Sequence, residues 1–114
     1  MKHVLFLLKP GFTEAEGGPY YCPDCASVEG FLGYGPEVEK QIEIIRIAFP
    51  KPRTKIIELI GEANQGCPVL VLDEAGKIPS DAKISEETGR AFISDTTQIC
   101  DLLGRLFGVA RSHP

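Results

Sequence analysis

Cys22 and Cys25 stand in the run Tyr21-Cys22-Pro23-Asp24-Cys25, and two thiols at this spacing can close into a disulfide and reopen without unfolding what surrounds them. The chemistry of such a pair is exchange: a thiolate attacks a disulfide sulfur, and a second thiol resolves the mixed disulfide. Helix N-termini and CxxC neighbours lower a cysteine pKa from about 8.5 to roughly 3.5 to 7.5, which raises the reactive thiolate fraction. Cys22 is expected to be the attacking thiol and Cys25, one helical turn inward, the resolving one. Asp24 works against the activation. A carboxylate in the first turn disfavours a nearby thiolate about as much as the helix dipole favours it, each effect being on the order of 0.3 to 1 kcal/mol. Moderate activation, and a reducing or weakly oxidising couple, are therefore expected.

The elements that must hold this pair follow from the apolar pattern. Residues 3–8 are almost uniformly apolar, as in a strand buried on both faces of a sheet. Pro10, Gly11, Gly17, Gly18 and Pro19 mark a long loop, a length often linked to function in compact domains. Pro23 suits a first helical turn, which makes Cys22 the N-cap and puts Cys25, Val28, Phe31 and Leu32 on one face. Gly33 and Gly35 end that helix.

Residues 42–48 are rich in β-branched side chains and predict a second strand; residues 52–60 predict a short helix. Pro68 to Leu72 forms a third apolar run, after which a turn at residues 73–76 leads Lys77 and Ile78 toward a return strand. Residues 79–89 are polar and have the character of an insertion before strand pattern resumes at residues 90–93. Ser94 or Asp95 is placed to cap a last helix carrying a stripe of Ile99, Leu102, Leu103, Leu106 and Phe107, with Gly108 at its end.

Composition sets bounds on function. The 114 residues, 43% hydrophobic and 25% charged, suffice for one domain that buries roughly two-thirds of its unfolded surface. A net charge of −4 argues against broad binding to a phosphate backbone, so no nucleic-acid partner is expected. Lys51, Arg53 and Lys55 are read as a solvated helix start. The apolar run before Lys9 and Pro10 is too short for a secretory signal or a membrane span, so neither is expected and a cytoplasmic location is. In such a compartment a CxxC is more often catalytic or metal-binding than a structural staple. His3 is read as a strand-end surface residue, and Cys100 as a buried, unreactive thiol.

Three separated signals, the CxxC at a helix start, the order of elements and the Cys67-Pro68 step before Val69-Leu70-Val71-Leu72, resemble the thioredoxin-like superfamily. The resemblance covers nearly the whole chain. Asn64 to Leu70 and Ile93-Ser94-Asp95-Thr96 look like the corresponding passages of glutathione-transferase N-terminal domains. The whole, with its Tyr20-Tyr21 before the dithiol, is similar to a small uncharacterised bacterial family of thioredoxin-like domains.

What the resemblance implies is a single α/β thioredoxin-like domain over residues 1–114. It would hold a central mixed four-stranded sheet flanked by helices, in the order β-α-β-α-β-β-α. It further implies a cis Cys67–Pro68 peptide facing the thiols and a substrate groove of Tyr21, Pro23, Cys67 and Pro68. A glutathione clamp at Asp95 and Thr96 is also implied. The expected function is thiol–disulfide oxidoreduction through Cys22 and Cys25 with no required cofactor. Its partner would be a disulfide-containing protein or glutathione, the latter as co-substrate. The alternative is a non-enzymatic module that binds a protein partner, or holds zinc or another soft metal through Cys22, Cys25 and Cys67. Cys67 has further readings, as a third redox thiol or as a small buried hydrophobe.

Overall fold

The computed structural model describes residues 2–114; Met1, with which the expected domain begins, lies outside the described residues. Strand β1 (Val4–Leu8) is buried along its full length, as a continuous apolar run requires. It lies inside the main sheet, pairing in parallel with β4 (Glu43–Ile47) and antiparallel with β5 (Val69–Val71). Strand β7 (Ala91–Ile93) continues the sheet antiparallel to β5, and a two-residue strand β6 (Lys83–Ile84) closes its edge.

Because side chains alternate along β1, it feeds two cores. Leu5 and Leu7 pack against helices α1 (Pro23–Tyr34) and α3 (Thr96–Phe107), through Val28, Leu32, Ile99 and Leu103. Val4 and Phe6 pack on the opposite face with Ile56 and Ile60 of α2 (Thr54–Ile60). Asp95 caps α3 by accepting the Gln98 amide, and Gly108 ends it in the left-handed conformation, both as the sequence expects.

The sheet corrects the expected architecture. In place of one four-stranded mixed sheet in the order β-α-β-α-β-β-α there are two sheets: five strands ordered β4-β1-β5-β7-β6, and a separate pair of β2 (Phe12–Glu14) with β3 (Gly17–Tyr20). The reason lies in residues expected to form a loop. Between β1 and α1 the chain folds back on itself, pairing Phe12 with Tyr20 and Glu14 with Gly17. These strands are exposed except at Phe12, so they have no apolar face to bring into the main sheet. Gly18, at φ +137°, lies where a Cβ would meet the Phe12 carbonyl oxygen at 3.0 Å, so only glycine permits this close pairing.

Two more expectations are revised. No strand starts at Lys77 and Ile78; the strand that returns beside β5 is β7. The polar stretch at residues 79–89 contributes β6 and then closes the C-terminal end of α2. Ser85 Oγ donates to the Ile60 carbonyl at 2.8 Å, Thr88 Oγ1 donates to the Leu59 carbonyl at 2.7 Å, and the Glu87 carboxylate accepts the Glu62 and Ala63 amides. The C-terminal end of a helix leaves its last carbonyls without intrahelical partners, and here a distant segment supplies donors to those of Leu59 and Ile60. Among the described residues no helix is long and apolar enough to cross a membrane.

Candidate functional site

The site is built at the junction of β1 and α1. Pro23 occupies the first turn of α1, where its missing N–H costs no hydrogen bond, and Cys22 is the N-cap. The Cys25 amide donates to the Cys22 sulfur at 3.1 Å. The first N–H groups of a helix have no intrahelical partner, and this contact satisfies one of them.

Cys22 is half-buried, whereas Cys25 is only 2% exposed. Both thiols are free, and they stand in hydrogen-bonding contact, a closeness compatible with disulfide closure. The Cys25 thiol is pushed up to about 12, first by burial and then by its bond to the Cys22 sulfur; the Leu8 amide, donating to Cys25 Sγ at 3.5 Å, acts in the opposite direction. Asp24 is exposed in the same turn.

Two clefts open beside Cys22. One, of about 420 Å³, runs beneath the β2–β3 hairpin between Phe12, Tyr20 and Phe49, with Glu14 and Glu16 along it. The other, of about 340 Å³, lies toward Pro10, Ala26 and Glu29. Tyr21, 64% exposed, borders both, and Pro23 borders the first. The hairpin is anchored by one aromatic stack: Phe12 lies on Phe49 with ring centroids 4.1 Å apart and planes within 7°.

With the dithiol and its clefts defined, the chain can be placed among known proteins. The family model described as a protein of unknown function, DUF3088, matches residues 2–111. The chain belongs to the DUF3088 family. No curated protein and no solved structure matches it.

In this DUF3088 chain the Cys67–Pro68 peptide is cis, as expected from the sequence, and Pro68 is buried. Cys67 presents its carbonyl oxygen to the dithiol, 3.9 Å from Cys22 Sγ. Its own thiol is pushed up to about 11 by burial, with the Arg53 charge pulling it back. This corrects the zinc alternative. Among the described residues no group of three His, Cys, Asp or Glu side chains can hold a metal, so Cys22, Cys25 and Cys67 do not form the three-sulfur centre the sequence allowed.

Asp95 and Thr96 line neither of the two clefts. Asp95 accepts the Gln98 amide at 2.9 Å, and Thr96 borders a separate cleft with Ser27, Phe31 and Tyr34. Cys100 is 5% exposed and its thiol is raised by burial. His3, read as a surface residue, is half-buried: its Nδ1 accepts the Asp73 amide at 2.8 Å, and burial lowers its pKa.

Arg53 also departs from the solvated reading of its basic cluster. It is 9% exposed, and its guanidinium donates to the Phe49 and Gln65 carbonyls at 2.6 to 3.0 Å. Arg53 therefore supports Phe49 from behind. Phe12, Phe49, Glu14 and Glu16 were missed as site residues because their part arises from a hairpin. The available signal was short: an aromatic at each end of a self-pairing stretch with two glycines in its return strand.

Proposed function

We propose that this protein is a thiol–disulfide oxidoreductase of the thioredoxin or glutaredoxin kind. The observation that carries the reading is the asymmetry of the pair: Cys22 is reachable at a helix N-terminus with an amide donating to its sulfur, and Cys25 is sealed behind it. Cys22 thiolate attacks one sulfur of a substrate disulfide, forming a Cys22–substrate bond and releasing the other substrate sulfur as thiolate. Cys25 loses its proton and attacks Cys22 Sγ, the Cys22–Cys25 disulfide forms, and the second substrate thiol leaves. Two electrons pass to the substrate, and an external thiol reductant must return them before the next cycle.

Supporting roles fall to Tyr21, Pro23, Cys67 and Pro68. They frame the groove in which a disulfide-containing partner lies against Cys22. The kinship with thioredoxin-like oxidoreductases belongs to the same proposal. Substitution tests the assignment of roles. Cys25→Ser is expected to accumulate a mixed disulfide with substrate that intact mass detects, while Cys22→Ser forms none and reduces insulin disulfides no faster than buffer. Reduction that is unchanged in Cys22→Ser refutes the proposal.

A further inference from the structure

The cleft beneath the hairpin carries a charge pattern that selects among disulfides, an inference that rests on the oxidoreductase reading. Glu14 and Glu16 border the same cleft as Cys22, and both are exposed. Neither has an ion-pair partner among the described residues. The aromatic wall stands beside them: Phe12 is backed by Phe49, and Tyr20, 45% exposed, is tilted against Phe12 with centroids 6.4 Å apart. Arg53, which lies against the Phe49 ring, is not available to neutralise the carboxylates. Its guanidinium lies 5.5 Å from the Phe49 ring centroid, is held by backbone carbonyls, and opens onto a different groove with Lys9 and Lys55. The space therefore combines two free carboxylates, an open aromatic face and the attacking sulfur, with no basic side chain lining it. A volume of about 420 Å³ falls within the range of about 300 to 1,000 Å³ usual for ligand clefts.

We infer that the hairpin cleft selects peptide disulfides in which a lysine or arginine stands next to the bonded cysteine. The cation lies against the Tyr20 ring and between the carboxylates while the sulfur reaches Cys22. Attraction between a cation and an aromatic face and pairing with carboxylates both act on such a residue. The same carboxylates repel an anionic disulfide, glutathione disulfide included.

The test uses the full chain, reduced and freed of reductant, in single-turnover mixing with symmetrical disulfides of three tripeptides that differ only in the flanking residue: lysine, glutamine or glutamate. Each rate of thiol release is divided by that of the same disulfide with dithiothreitol, which removes the intrinsic reactivity of the sulfur. The normalised rates are expected to fall in the order lysine, glutamine, glutamate, by about fivefold at each step. The combined Glu14→Gln and Glu16→Gln variant, and high salt with the unaltered chain, are expected to narrow each step to about twofold or less. Equal normalised rates, a reversed order, or an order that persists in the folded double variant overturns the inference. Absence of thiol release from all three peptides strikes instead at the oxidoreductase reading beneath it, so the two failures are separable.

Discussion

Cys22 stands between a floor made of β1 and α1, whose Leu5, Leu7, Val28 and Cys25 are at most 2% exposed, and a roof made of β2 and β3, exposed at every residue but Phe12. The floor is part of the packed core; the roof touches the rest through the Phe12–Phe49 stack. Such a difference separates two tasks. The positions of the two sulfurs depend on close packing, in which even a methylene is felt. The hairpin has few buried contacts to lose and can set what approaches Cys22 without disturbing the exchange chemistry.

That contrast predicts unequal responses to truncation. Phe6→Ala empties a fully buried site in the sheet that carries the floor and is expected to cost about 3 to 5 kcal/mol. Thr13→Ala, on the exposed hairpin, is expected to change stability by no more than about 0.5 kcal/mol. Urea unfolding of both variants checks the pair, and comparable losses would erase the distinction between floor and roof.

The contrast is sharpened by pH, since Cys25 belongs to the floor and Cys22 borders the clefts. With the Cys25 thiol pushed up to about 12 mainly by burial, it is protonated near neutrality and attacks only as the small thiolate fraction. The fraction grows about tenfold per pH unit below the pKa, so resolution of the mixed disulfide is expected to quicken by about a hundredfold from about pH 7 to about pH 9. Rapid quench with mass analysis of the mixed disulfide measures its lifetime. A lifetime independent of pH would remove Cys25 as the resolving thiol.

The smallest effect lies on the outer side of the floor. Arg46 of β4 donates to both carboxylate oxygens of Glu29 on α1 at 2.7 and 2.8 Å. That bond holds the Glu29 carboxyl below its ordinary range. A depressed acid contributes stability above the ordinary carboxylate pKa, and the contribution fades as pH falls through the folded value. Both side chains are more than a third exposed, at 41% and 36%, so solvent screening limits the loss on Glu29→Gln to about 1 kcal/mol or less near neutral pH. The loss should shrink at high salt and at acid pH. A constant difference across pH would assign it to packing rather than charge.

Much of the floor was legible because its determinants are local. Cys22 as N-cap, Pro23 in the first turn and the buried set Cys25, Val28, Phe31 and Leu32 follow from helical spacing, and the strand at residues 4–8 follows from a run of apolar side chains. Residues 10–21 carried no such period. Their glycines and prolines were correctly read as breaks in the main pattern, but self-pairing of Phe12 with Tyr20 depends on backbone positions that propensity does not encode. The same applies to Ser85, Glu87 and Thr88, polar in sequence and in place only because α2 ends beside them.

By itself the sequence determined that two thiols would share the first turn of a helix behind a buried strand, because one turn of helix is short-range geometry and burial follows side-chain type. Only the tertiary structure decided that Cys67 would turn its carbonyl oxygen to Cys22 without completing a metal site, that Arg53 would be buried beneath Phe49, and that an acidic, aromatic hairpin would roof Cys22. Those outcomes join residues distant along the chain, and such contacts are selected by the packing of the whole molecule rather than by any local preference.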